Sequence, residues 1–154
     1  MGAGVRILVD ADACPVKEEI YKVAFRHEVP VTLVTNQHLR VPPHPLIERI
    51  TVGAGFDAAD DWIAEATAPG AVVVTGDILL ADRCLKAGAA AVLSPTGKPF
   101  TTSSIGAAIA TRAIMADLRA GMGEGVGGPA PFAKADRSRF LQALDEALVR
   151  AKRG

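Results

Sequence analysis

Three valines stand in a row at Val72, Val73 and Val74 inside the run Ala71 to Thr75, so a strand built there is apolar on both faces of its pleat. Such a strand needs cover above and below, which is the situation of a strand in a parallel sheet between two layers of helices. The remaining chain is punctuated to match. Short runs rich in β-branched residues lie at Val5 to Asp10 and Val31 to Thr35, with further strand candidates at Leu46 to Val52 and Ala90 to Ser94. Helical segments fall between them. Pro15 suits a first helical position, and Val16, Ile20, Val23 and Ala24 then recur at i, i+4, i+7 and i+8. Asp57 to Thr67 reads as a second helix ended by Ala68-Pro69-Gly70, and Asp77 caps a third that Gly88 closes in the left-handed conformation.

The pattern predicts one α/β domain over residues 1–154, a three-layer fold around a mostly parallel five-stranded sheet in the order 3-2-1-4-5, with extra C-terminal helices. Beyond Ser94, PTGKPFTTSS reads as a polar loop, Ile105 to Ala120 as a helix, and residues 121–133 as a flexible Gly/Pro-rich connection to a final helix over Asp136 to Lys152. Phe140, Leu141, Leu144, Leu148 and Val149 form an apolar stripe on that last helix, which packs back on the domain or serves a homodimer.

With 49 % apolar and 22 % charged residues, the chain has ordinary globular composition and no reason to be disordered. Cys14 and Cys84 are far apart and lack CxxC spacing, which predicts neither a disulfide framework nor a zinc site and fits a reducing compartment. No apolar run approaches a membrane span, and too few apolar residues precede Asp10 for a secretory segment, so a cytoplasmic protein is expected. Net charge is zero, against a broad basic face for long nucleic acid. The charge is uneven: residues 1–100 hold 12 acids against 9 bases, residues 101–154 hold 5 against 8, so an acidic site faces a basic flank.

The acids cluster where strands give way to helices: Asp10 and Asp12, then Asp57, Asp60 and Asp61, then Asp77 and Asp82. In an open α/β sheet the functional crevice lies beyond the carboxyl ends of the strands where their order reverses, here between the first and fourth strands. Asp57, Asp60 and Asp61 fall at i, i+3 and i+4, so a helix turns them toward one side. Converging carboxylates repel one another, and a divalent cation offsets that repulsion. The ordinary roles stand beside this reading, with Asp57 and Asp77 as N-caps and Asp61 and Asp82 on solvated helix faces.

GFDAADDWIAEA followed by VVVTGDILLA resembles the paired motifs of the PIN-like and 5′-nuclease folds, where a Gly-x-Glu-Ala-Asp-Asp-x-Ile helix precedes a strand ending in Thr-x-Asp. From LVDADACPVK through TTSSIG to the C-terminal segment, the chain is similar to the YaiI/YqxD family of bacterial proteins. The resemblance implies Asp10 as the first-strand acid, Asp60 and Asp61 as the helix di-acid and Asp77 as the acid after the fourth strand, with Asp12 and Asp82 auxiliary. It makes Asp10, Asp61 and Asp77 catalytic and gives a metal set of Asp10, Asp12, Asp60, Asp61, Asp77 and Asp82. Ala59 stands where those enzymes place the leading glutamate, with Asp57 as a possible substitute. The implied reaction is Mg²⁺- or Mn²⁺-assisted hydrolysis of a phosphodiester in RNA or DNA, short and single-stranded because the chain lacks a large basic arch.

Candidate substrate contacts are Thr75, the helix-opening group Thr101, Ser103 and Ser104, Arg112 two turns further on, and Arg40 as a bidentate phosphate ligand. Plain capping by Ser103 or Ser104, a solvated Arg40 and an ordinary β-branched strand position for Thr75 are the competing roles. Two other functions fit less of the chain. A haloacid-dehalogenase-type phosphatase would use Asp10 as nucleophile and Asp12 as acid/base, but it needs a lysine that residues 31–76 lack. A non-catalytic nucleotide- or RNA-binding module would need more aromatic residues than this chain has.

Overall fold

The computed structural model describes residues 4–53, 55, 57–122 and 132–153. One sheet contains β1 (Arg6–Asp10), β2 (Val31–Thr35), β3 (Ile47–Thr51), β4 (Ala71–Val74), β5 (Ala91–Leu93) and β6 (Pro99–Phe100). The order is β3-β2-β1-β4-β5-β6, parallel throughout except for the β5–β6 pair. The first five strands therefore take the order expected, and the sixth corrects the five-strand count. Its segment reads as loop because Pro99 cannot donate to a ladder, a restriction that an edge strand tolerates. Gly97, at φ +86, lets the chain reverse between β5 and β6. Ser94 N–H donates to the Lys98 carbonyl at 2.9 Å across that turn.

Alternation along the strands divides the core in two. Ile7, Val9, Val31, Leu33, Val72 and Val74 face one layer, where they meet Ile20, Val23 and Ala24 of α1 (Lys17–His27) and Phe140, Leu144 and Leu148 of α5 (Lys134–Arg153). Leu8, Val34 and Val73 face the other, against Ile63 of α2 (Ala58–Ala66), Leu80 and Cys84 of α3 (Ile78–Lys86) and Ile105 of α4 (Ile105–Met122). β2 and β4 are buried along their whole length, as two-sided cover requires.

Several boundaries differ in detail from expectation. α1 starts two residues after Pro15, with Val16 at the N-cap position, so the proline lies in the preceding turn. It ends on Glu28 in the left-handed conformation, while Gly88 closes α3 at φ +91 as expected. α4 runs past Ala120 into Gly121 and Met122. Of the connection expected over residues 121–133, residues 123–131 lie outside the described residues. The α5 stripe packs on its own domain, with Phe140, Leu144 and Leu148 all at 0 % exposure. Among the described residues, no helix is long and apolar enough to cross a membrane.

Candidate functional site

β1 and β4 lie side by side, Val9 opposite Val74, yet the chain leaves them in opposite directions along the sheet. That divergence opens a crevice at their carboxyl ends. The pleat decides what enters it. Asp10 follows Leu8 onto the α2–α3 face, and Thr75, just past β4, follows Val73 onto the same face. Thr75 is 1 % exposed; its hydroxyl donates to Asp10 Oδ2 at 2.9 Å and accepts from the Asp77 N–H at 3.0 Å. Its only donor proton is thereby committed to Asp10, which makes it a positioning residue rather than a ready phosphate contact.

Asp77 caps α3, with Oδ1 accepting from Leu79 N–H at 2.9 Å and Leu80 N–H at 3.2 Å. Both bonds fall on one oxygen, so capping and a place in the crevice are compatible. Asp57 occupies the N-cap position of α2 without any side-chain cap bond, so the ordinary capping role fails for it. Asp57, Asp60 and Asp77 line a cleft of about 420 Å³ together with Leu79, Leu80, Arg83 and Arg112.

Burial and mutual repulsion both act on these acids. The Asp60 carboxyl is pushed up to about 6, first by burial, then by the charges of Asp77, Asp10 and Asp57, with Arg83 pulling the other way. Asp10 is also raised: burial dominates, the Thr75 hydrogen bond partly offsets it, and Asp77 and Asp12 add to it. Carboxylates from β1, α2 and the β4–α3 turn thus act on one another.

The other acids are held elsewhere. Asp12, in a short 3-10 turn over Ala11–Ala13, accepts the hydroxyl of Thr35 and the Asn36 N–H, the latter at 3.1 Å. Thr35 follows Leu33 toward the α1–α5 face and accepts from Gln37 N–H at 3.0 Å, repeating the Thr75 arrangement on the opposite side of β1. Asp61, 55 % exposed, pairs with Arg83 Nη1 at 2.9 Å, and Asp82 pairs with Lys86 at 2.9 Å along α3. The structure therefore gathers Asp10, Asp60 and Asp77, sets Asp57 at the rim, and does not gather Asp61 or Asp82.

Of the candidate substrate contacts, Arg112 reaches the cleft, whereas Arg40 is exposed in the β2–β3 loop. Thr101 and Ser104 form a reciprocal cap: Thr101 Oγ1 accepts from Ser104 N–H at 3.1 Å, and Ser104 Oγ accepts from Thr101 N–H at 3.2 Å. The capping hydroxyl is that of Thr101, with Ser104 as its return partner and Ser103 bonded to the Thr101 hydroxyl at 3.1 Å. Sequence reasoning missed Arg83 and the bond by which Thr35 holds Asp12. A strand-final threonine two residues before a polar N–H is a signal that both Thr35 and Thr75 carry. Arg83 looks like any solvated helix cation, and nothing in its spacing marks it.

Among the described residues, no group of three or more His, Cys, Asp or Glu side chains is set to hold a metal ion as it stands. The donor chemistry still fits a hard cation of the magnesium kind. Such an ion takes one or two protein carboxylates and completes its shell with water and substrate phosphate.

The raised Asp60 carboxyl has a consequence for stability. The folded state holds that proton more tightly than the unfolded chain, so the stabilisation is full below the ordinary 3.8 and is lost as pH rises through about 6. Asp60→Asn is expected to stabilise the metal-free protein at pH ~8 by about 1 kcal/mol, discounted for partial solvation, with little change at pH ~3.5. Thermal melts in EDTA check it, as a gain of ~2–4 °C at the higher pH alone.

Residues 8–150 match the family model described as "Uncharacterized BCR, YaiI/YqxD family". A UPF0178 protein of Sphingopyxis alaskensis is 76 % identical over 148 residues, covering 96 % of each chain. A UPF0178 protein of Jannaschia sp. is 62 % identical over 150 residues, covering 97 % of this chain and 96 % of that protein. One from Rhodopseudomonas palustris is 62 % identical over 148 residues, covering 96 % and 92 %. No solved structure matches the chain. A six-stranded α/β domain with acids at its switch point, matched nearly end to end by these relatives, belongs to the YaiI/YqxD family.

Proposed function

We propose that this protein is a divalent-cation-dependent phosphodiesterase acting on RNA or DNA. The observation that carries the reading is the placement of three acids from separate elements at one end of the sheet: Thr75 bonds both the Asp10 carboxylate and the Asp77 backbone, and Asp60 and Asp77 line one cleft. Repulsion among acids is a cost that a fold sheds easily by substitution, and a cation binding there relieves it. The likeness of GFDAADDWIAEA and VVVTGDILLA to the PIN-like motifs supports the same reading.

Asp10 and Asp60 are the carboxylates that would hold the ion, with Asp77 beside them. Bound there, Mg²⁺ or Mn²⁺ provides Lewis-acid stabilisation of the phosphoryl oxygens and lowers the pKa of water. The chain's own residues do the rest. Thr75 fixes the Asp10 carboxylate and the Asp77 backbone in one orientation, and the Asp77 cap fixes the start of α3. Arg112 lines the same cleft as the acids, so an incoming phosphate meets a positive charge there.

With two carboxylates and no closed cage, Mn²⁺ alone is expected to bind weakly, on the order of 0.1–1 mM. A nucleoside monophosphate should tighten it severalfold, and by reciprocity Mn²⁺ should tighten the nucleotide equally. Calorimetric titrations in both orders check this, alongside cleavage of labelled single-stranded RNA and DNA with Mn²⁺ and with EDTA. Absence of any Mn²⁺ binding at millimolar metal, with or without nucleotide, would sink the proposal.

A further inference from the structure

The acidic cleft has a cationic wall, of which the reading above uses Arg112 alone. Arg83 on α3 and Arg112 on α4 line the same 420 Å³ as Asp57, Asp60 and Asp77, together with Leu80 and Leu79, the latter 45 % exposed. We propose that Arg83 and Arg112 form a two-point phosphate clamp, that the Asp61–Arg83 ion pair is its resting state, and that the substrate is the end of a short single strand. This rests on the phosphodiesterase reading above.

The guanidinium fork matches phosphate oxygens in two-point fashion, and an exposed apolar side chain beside it offers a surface for the face of a base. The cleft has the size of a small-ligand site and admits about one nucleotide, not a duplex. A chain of net charge zero has little excess positive charge to hold a long strand, so affinity has little to gain from further phosphates. Asp61 competes for Arg83. The pair is 2.9 Å long with its side chains 55 % and 45 % exposed, and exposed pairs of that kind are weak enough to be exchanged for a phosphate. The clamp therefore gives Asp61 a sign opposite to that of a metal ligand: its removal should help substrate to bind.

Fluorescence anisotropy with a labelled, 5′-phosphorylated trinucleotide and dodecanucleotide in EDTA reads binding without hydrolysis. Arg83→Ala and Arg112→Ala are each expected to weaken the trinucleotide by about tenfold. Arg83→Lys, which keeps the charge and loses the fork, should recover only part. Asp61→Asn is expected to tighten it by about threefold, and the dodecanucleotide should gain little over the trinucleotide. Unchanged affinity in both arginine variants, weakened binding by Asp61→Asn, or no binding by the wild-type protein would each overturn the clamp. If this pattern appears but Mn²⁺ never produces cleavage, the clamp stands and the phosphodiesterase reading falls. Cleavage with an unchanged KM in both arginine variants overturns the clamp and leaves that reading intact.

Discussion

Asp10→Asn and Asp77→Asn are each expected to abolish Mn²⁺-dependent cleavage of single-stranded RNA or DNA, by ~1000-fold or more in kcat/KM. That is a loss of ~4 kcal/mol of transition-state stabilisation. Both substitutions suit the purpose because each keeps the local hydrogen bonds. Asparagine at position 10 still offers an oxygen to the buried Thr75 hydroxyl, and asparagine at 77 remains an effective N-cap for the Leu79 and Leu80 amides. The charge goes while the geometry stays. Thermal stability should consequently hold or rise, since each change also removes one member of a mutually repelling group. Turnover close to wild type in either variant would contradict the role given to that acid. A collapse of stability together with activity would instead mean that the carboxylate serves the fold.

The sheet order was legible because it follows from properties that each strand carries in its own residues. Val72 to Val74 demand cover on both faces, and the helical stretches before and after them have the length of crossovers. β6 was not legible, since its two residues pair only because Gly97 turns the chain there. The acids divide in the same way. Asp10 follows from strand alternation, and Asp77 from its place at the head of a helix. Spacing alone does not choose between Asp60 and Asp61, which are adjacent on the first turn of α2. The choice is made by Arg83, contributed by α3, which draws Asp61 outward and leaves Asp60 among the other carboxylates. Asp12 similarly depends on Thr35 at the end of β2. In each case the deciding partner is distant along the chain, so a local pattern finds the acidic segment but does not rank its members.

The second large effect is expected far from the acids. Phe140→Ala should cost ~4–5 kcal/mol, the upper part of the range for removing a buried aromatic side chain. Phe140 is fully buried in the core on the α1–α5 face, among the side chains of β1, β2 and β4 that point away from the acidic cleft. Its surroundings have little freedom to close over the gap. A Cβ placed on Gly97 would lie 2.7 Å from the Arg139 carbonyl carbon and 2.8 Å from the Phe140 nitrogen, so the β5–β6 turn already rests against the α5 backbone. With turn and helix in backbone contact, α5 has no room to settle inward, and the cavity persists. Denaturant unfolding followed by circular dichroism measures the loss. Mn²⁺ affinity at low temperature, where the variant stays folded, should remain that of the wild type, because cavity and carboxylates lie on opposite faces of the sheet. A loss below ~2 kcal/mol would mean that α5 repacks freely and is an appendage to the domain. A parallel fall in Mn²⁺ affinity would mean that the two faces of the sheet are coupled, contrary to the separation of their cores.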